Sequence, residues 1–426
     1  MGIWSYRQQV TLSVIISLPH RPHPDIEVDN AAQQLEHHPD TDTDNAAQQP
    51  KDAQQPKHTQ QPKQAQQPKQ PNNLKRREIA ATTIATIDDG SYELDGQTYE
   101  LRPTVDDMIE RTMYYPPDSE LADWPKAPAS EETNSSNFQT DVQIVQCSTL
   151  EGCQRLHELL AGLEGDGDKR IGVLNFASAK KPGGGFLTGA QAQVSPLSCT
   201  DAAIELIRLA CAQEETIARS STLYASLMID TAQQFYTVHH SCIKDGYYTH
   251  AMIYSPRVQI FRNDAGTWHA PIEVDVLTSP AVNAGDVRRK AKSQWEEGDS
   301  EEEKIEIVMK ERMGRLLYLF EQQGVRNLIL GSFGTGVFRN SVEVVAKLWI
   351  ELMIAEGSRF KHSFERVLFA IIDAPTVTRF RDVFNASPSE EAPLENEAGT
   401  GDANDPEPSN GDESSSAATG KGDPKL

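Results

Sequence analysis

Asn327-Leu-Ile-Leu-Gly-Ser-Phe-Gly-Thr-Gly-Val-Phe-Arg-Asn-Ser341 (NLILGSFGTGVFRNS) sets a solid apolar run against a glycine loop and two helix-capping residues. A short unbroken Leu/Ile run predicts a strand covered on both faces. Asn340 and Ser341 predict the start of a helix. The glycines between them let the backbone approach a ligand and aim N–H groups at anionic oxygens. The helix start adds to that preference. In an open α/β sheet, ligands bind beyond the carboxyl ends of the strands, where this loop lies.

The same unit recurs along the chain. The run Asn175-Phe-Ala-Ser-Ala-Lys-Lys-Pro-Gly-Gly-Gly185 also follows an apolar run, Ile171–Asn175. Further strands are predicted at Val142–Gln146, Ala251–Tyr254, Val274–Thr278 and Arg366–Ile372. Helices are predicted at Leu150–Leu163, Asp201–Ser226, Ile305–Gln323, Ser341–Glu356 and Val377–Phe384. Before them, RREIAATTIATIDDG reads as a helical extension and YELDGQTYEL as a hairpin. The alternation predicts a three-layer α/β/α sandwich with a mixed sheet over residues 74–385.

The two ends of the chain read differently. Residues 1–73 include the repeat QQPKDAQQPKHTQQPKQAQQPKQP, too rich in proline for a helix and without apolar residues to bury. Residues 386–426 are an acidic Ser/Pro/Gly/Glu/Asp tail. Both are expected to be disordered. The formal net charge of −23 argues against binding nucleic acid through a basic face, so direct DNA binding is not expected. No apolar run reaches the ~20 residues that span a bilayer, so no membrane partner is expected. The five cysteines form no CxxC pair, which suits a reducing compartment and gives no metal-ligand spacing.

The chemistry-bearing stretch is GGGFLTGAQAQVSPLSCTDAAIELIRLACAQEETIARSS, Gly183–Ser221. It holds a triple glycine and the adjacent carboxylates Glu214 and Glu215. On their own, two acids at a helix start would simply complement the helix dipole. Together with MIYSPRVQIFR (Met252–Arg262), VDVLTSPAVNAG (Val274–Gly285) and LGSFGTGVFRN (Leu330–Asn340), the stretch resembles the microbial-type poly(ADP-ribose) glycohydrolase family. The four motifs occur in the family's order, and the resemblance spans most of Leu74–Phe384.

The resemblance implies a macrodomain-like catalytic domain that hydrolyses ribose–ribose O-glycosidic bonds and releases ADP-ribose. It implies Glu215 as general acid/base, Glu214 orienting ribose hydroxyls and Gln213 placing the loop. Gly183, Gly184 and Gly185 would pack near the scissile bond, and Asn175 would meet ribose oxygens. Gly334, Thr335, Gly336 and Val337 would offer N–H groups to the diphosphate, and Phe338 would pack on the terminal ribose. No cofactor or metal is implied. The expected partners are poly(ADP-ribose) and ADP-ribosylated proteins, met by a monomer in the nucleus or cytoplasm. Two other functions fit the same residues: a noncatalytic ADP-ribose-binding module, and a hydrolase of mono-ADP-ribosylated protein.

One segment departs from the family pattern. Excising Val194–Gln213 leaves GGGFLTGAQAQEETIARSSTLYASL, which fits that pattern without a gap. The segment begins with Val-Ser, which GT-AGT-like codons encode, and ends with Gln, whose CAG codon ends in AG. It reads as a short in-frame intron that has been translated, or as a genuine insertion carrying the apolar-faced helix DAAIELIRLACAQ. Because Ala-Gln stands on both sides, Gln213-Glu214-Glu215 still spells the motif. The longer connection costs little entropy, but a carboxylate displaced by ~1 Å would lose rate. His239-His240 with Cys242 reads as an ordinary polar element, whereas Tyr254 and Phe261 suit either adenine stacking or the core.

Overall fold

The computed structural model describes residues 72–128, 140–164, 168–188, 213–242, 245–294 and 299–386. The QQPK repeats, residues 387–426 of the acidic tail and all of Val194–Gln213 except Gln213 itself lie outside them. The first described element is α1 (Asn72–Asp89). It leads into the hairpin of β1 (Ser91–Leu94) and β2 (Gln97–Glu100), which pair antiparallel. Asp95 and Gly96 make its turn at φ 53° and 79°, the left-handed conformation that Asp-Gly supplies in two-residue hairpins.

Among the described residues, the central sheet has seven strands in the order β3-β6-β7-β5-β8-β9-β4. These are β3 (Met113–Tyr115), β4 (Asp141–Gln146), β5 (Ile171–Phe176), β6 (Met252–Arg262), β7 (Trp268–Ser279), β8 (Asn327–Leu330) and β9 (Arg366–Ile371). β7, β5, β8, β9 and β4 run parallel, while β6 and β3 add antiparallel pairs at one edge. The helices are α2 (Arg102–Arg111), α3 (Thr149–Ala161), α4 (Gln213–Ser220), α5 (Leu223–Leu227), α6 (Asp230–Ser241), α7 (Ala284–Gln294), α8 (Asp299–Gln322), α9 (Val342–Met353) and α10 (Ala374–Ala386).

Successive residues of the parallel strands enter two separate cores, as the two-residue strand period requires. In β9, Val367, Phe369 and Ile371 pack with α8, α9 and α10, whereas Leu368 and Ala370 pack with α3 and the α4–α6 layer. In β8, Leu328 and Leu330 face the first core and Ile329 the second. Two apolar layers therefore cover the sheet, giving the α/β/α sandwich expected from the solid Val/Ile/Leu runs.

Two local readings need correction. The helix predicted over Asp201–Ser226 is not continuous: α4 ends at Ser220 and α5 begins at Leu223. The Ser220-Ser221-Thr222 run diverts the backbone. Ser221 Oγ donates to Ile217 O at 2.7 Å, Thr222 N donates to Gln259 O at 3.0 Å, and Ser221 bridges Ile260 of β6. The second correction concerns β6 and β7, which extend well beyond the predicted Ala251–Tyr254 and Val274–Thr278. Pro256 and Arg257 interrupt the pattern. Arg257 sits at φ 57°, and the pairing with β7 shifts register between Ser255 and Val258. That is a bulge, and the strand continues past it.

Candidate active site

A cavity of about 410 Å³ opens where β5, β8 and β9 end. Its walls come from Phe176–Lys180 after β5, from Ser332 and Gly334–Phe338 after β8, and from Ala370–Asp373 at the end of β9. Thr149 of α3, Gln213–Glu215 of α4, Tyr248, Ala281, and Pro375, Thr376 and Arg379 of α10 complete it. The position is the crevice beyond the carboxyl ends of parallel strands.

α4 starts against β5. Gln213 Oε1 accepts from Phe176 N at 2.8 Å, and its Nε2 donates to Leu174 O at 2.8 Å. One amide side chain thus satisfies both a donor and an acceptor of the strand, and sets the helix start in register with the strand end. Glu214 follows, 4% exposed, with Oε2 accepting from Ser178 N at 2.7 Å. Glu215 is half-buried, and its Oε1 accepts from Gly185 N at 3.0 Å.

The triple glycine supports these carboxylates from behind rather than lining the cavity. Gly183 and Gly184 adopt φ 64° and 61°. A methyl group on Gly184 would overlap Glu215 Oε1 and lie 3.1 Å from Glu214 Oε2. Both acids therefore meet the backbone at a position where only glycine fits without strain. Gly183 packs on Phe186, which shares a small apolar cluster with Ala218 of α4 and Ala80 of α1.

Burial pushes the Glu214 carboxyl well above the usual range, against the opposing N–H of Ser178, and the Glu215 charge adds to the rise. Burial also raises Glu215, opposed by the Gly185 N–H and by the positive charge of Arg219. A carboxyl with a folded pKa above its unfolded one holds its proton more tightly when folded. Stability then falls as pH rises from the ordinary carboxylate range through the raised pKa. Glu214→Gln is accordingly expected to melt higher than the wild type at pH 7.5, by about 1 kcal/mol or about 2–4 °C, with the gain shrinking at pH 4. Melting curves at the two pH values check this.

The loop after β8 supplies donors. Among the described residues, the N–H groups of Gly334, Gly336, Val337 and Phe338 have no hydrogen-bond acceptor. Thr335 differs from the sequence expectation, because its N–H donates to Ser332 O at 3.1 Å within the turn. Asn340 pins the loop, its Nδ2 donating to Val282 O at 2.8 Å and Gly334 O at 3.0 Å. Gly334 is at φ 76°, and a methyl group there would overlap Ala281 and come 2.6 Å from Asn340 Nδ2. Ser341 caps α9 by accepting from Val344 N at 3.2 Å. That helix start is self-capped and lies outside the cavity wall. The starts of α3, α4 and α10 line the wall instead, with Asp373 Oδ1 accepting from Thr376 N at 2.9 Å.

Other candidates fall into place. Phe338 lines the cavity, 6.0 Å from the ring of Tyr248. Val337, 36% exposed, stands at the rim. Asn175 is fully buried beneath the wall; its Nδ2 donates to Thr278 Oγ1 at 3.1 Å, and its Oδ1 has no partner among the described residues. Tyr254 and Phe261 belong to the core: Tyr254 donates to Asp275 at 2.7 Å, and Phe261 stacks on Trp268. His239 is buried in the last turn of α6 and pushed down to about 4 by burial. It bonds Phe235 O at 2.7 Å and Thr249 Oγ1 at 2.9 Å. Tyr248, Asp373, Arg379 and Lys180 also line the cavity, and no local sequence pattern marks them.

The model of the catalytic domain of microbial-type PARG matches residues 80–198 and 207–263. The break falls between the triple glycine and the two glutamates. Among solved structures, poly(ADP-ribose) glycohydrolase from Thermomonospora curvata is similar at 33% identity, covering 73% of this chain and 99% of its own, with a TM-score of 0.59. The same enzyme bound to the inhibitor ADP-HPD matches at 33% identity over 73% and 99%, with a TM-score of 0.57. The Deinococcus radiodurans enzyme in complex with ADP-ribose matches at 31% identity over 69% and 98%, with a TM-score of 0.52. No curated protein matches.

Proposed function

This chain belongs to the microbial-type poly(ADP-ribose) glycohydrolase family and is a glycosidase of that type; we propose that the cavity beyond β5, β8 and β9 is its active site, with Glu215 as the general acid/base. The observation that carries this reading is the seat of Glu215, half-buried on the Gly185 N–H in the wall of a ligand-sized cavity. Its substrate is the ribose–ribose bond of poly(ADP-ribose), carried on modified proteins.

Cleavage of that bond develops an oxocarbenium-like centre and an alkoxide leaving group. Protonated Glu215 donates to the leaving oxygen, and the resulting carboxylate then takes a proton from the attacking water. An acid used this way must hold its proton before the reaction, and burial favours the neutral form. The substrate diphosphate fits against the open N–H groups of Gly334, Gly336, Val337 and Phe338, where fixed backbone dipoles bind anions. Glu214, held on Ser178 N, is placed to orient ribose hydroxyls, with Asn175 behind it. Phe338 supplies an apolar face for the terminal ribose and Tyr248 stands beside it.

The lengthened connection before Glu214 would favour a binding module if it displaced the acids. The bonds from Gln213 to β5 and from Glu215 to Gly185 support an undisplaced pair. The described backbone on either side of the connection is held together, because Gly185 N donates to Glu215 Oε1 and Phe186 packs with Ala218. Removing Val194–Gln213 leaves Gln193 before Glu214, able to make the same amide bonds. The shortened protein is therefore expected to fold and to release ADP-ribose at least as fast as the full chain. Release from poly(ADP-ribose), followed by chromatography for both proteins, tests the function. Binding of ADP-ribose without release by either protein would identify a reader instead, and release from mono-ADP-ribosylated protein alone would identify the other hydrolase.

A further inference from the structure

Arg219 lies one helical turn after Glu215 on α4, the spacing at which side chains share a helix face. It is only 8% exposed. Its Nη2 donates to Thr216 Oγ1 at 3.1 Å, but its Nη1 is buried with no acceptor among the described residues. Its backbone is held as well, since Thr83 Oγ1 of α1 donates to Arg219 O at 2.6 Å. A buried guanidinium with an unmet donor costs stability. A methionine of similar volume would fill the space without that cost.

We propose that Arg219 is a positioning residue whose fixed positive charge acts on Glu215 through the helix and sets the state in which that carboxylate works. The inference rests on the assignment of Glu215 as the acid/base. Three charged groups act on Arg219: Glu215 from its own helix, Arg76 from α1 and Asp264 from the β6–β7 turn. Glu215 has the Glu214 carboxyl beside it, the Gly185 N–H opposite, and Lys180, Asp373 and Arg379 elsewhere in the cavity wall. Arg76 and Asp264 oppose each other around Arg219. Burial brings the guanidinium down to about 10, so it stays positive throughout the carboxylate range. A charge that favours ionised Glu215 keeps the acid from becoming too weak to release its proton at neutral pH. It also favours the carboxylate that must exist when water attacks.

The test reads Glu215 directly. The full-length protein is labelled with ¹³C-carboxyl glutamate, and the Glu215 resonance is identified by its loss in Glu215→Gln. Its titration midpoint is compared among the wild type, Arg219→Met and Arg219→Lys. The midpoint is expected to move to higher pH in Arg219→Met and to stay near the wild type in Arg219→Lys. The alkaline limb of the pH–rate profile for ADP-ribose release should move with it. An unmoved midpoint in Arg219→Met overturns the proposal, as does an equal displacement in both variants, because the charge would then not be the agent. If Arg219→Met lacks a cooperative melt, Arg219→Gln is read in the same way. The resonance is read without turnover, so an inactive wild type would count against the acid/base assignment and not against the action of Arg219 on Glu215.

Discussion

Glu215→Gln is expected to slow release of ADP-ribose from poly(ADP-ribose) by about 100- to 10,000-fold, the usual contribution of a general acid/base. Glutamine keeps the shape of the side chain and still presents an oxygen to the Gly185 N–H, which lies 3.0 Å from the present carboxylate. What it loses is the exchangeable proton. The uncatalysed alternative must expel an alkoxide without protonation and recruit water without a base. Affinity for ADP-ribose itself should change little, because the open N–H groups of the loop after β8 are untouched. Single-turnover rates and equilibrium binding of ADP-ribose separate the two effects. A rate within threefold of the wild type would remove Glu215 from the chemistry.

Gly184→Ala is expected to cost about 100-fold in rate, the scale on which ~1 Å of misplacement acts. The residue is at φ 61°, where a non-glycine side chain costs roughly 1–2 kcal/mol. The added methyl group would overlap Glu215 Oε1 and approach Glu214 Oε2 to 3.1 Å, so it displaces both acids together. The glycine loop cannot retreat freely, since Phe186 is fully buried against Ala218 and Ala80. Loss of rate with a melting point lowered by only a few degrees is the expected pattern. If activity survives, the carboxylates have more freedom than this packing allows.

What the sequence determined is local. The Leu/Ile/Val runs mark β5, β8 and β9 as doubly covered strands, because burial on both faces leaves no polar side to alternate with. Asp95-Gly96 marks the hairpin turn, because its left-handed backbone needs those residue types. The order of glycine loop and paired acids carries the family resemblance, and it is the resemblance that implies the proposed site; on their own the two acids suit a helix start equally well. The rest depended on which strands become neighbours. The order β3-β6-β7-β5-β8-β9-β4 brings Thr149, Phe176, Glu215, Tyr248, Thr335 and Asp373 to one opening, although they are far apart in the chain. Gln213 could be recognised as part of a motif, but its bonds to Phe176 and Leu174 required the tertiary structure. The same holds for Arg219, an ordinary helix cation in the sequence, which becomes a buried charge only when α1 and β6 close over α4. Apolar spacing records what each segment must hide, whereas long-range packing decides what it is hidden against, and electrostatics in the site follow from that second choice.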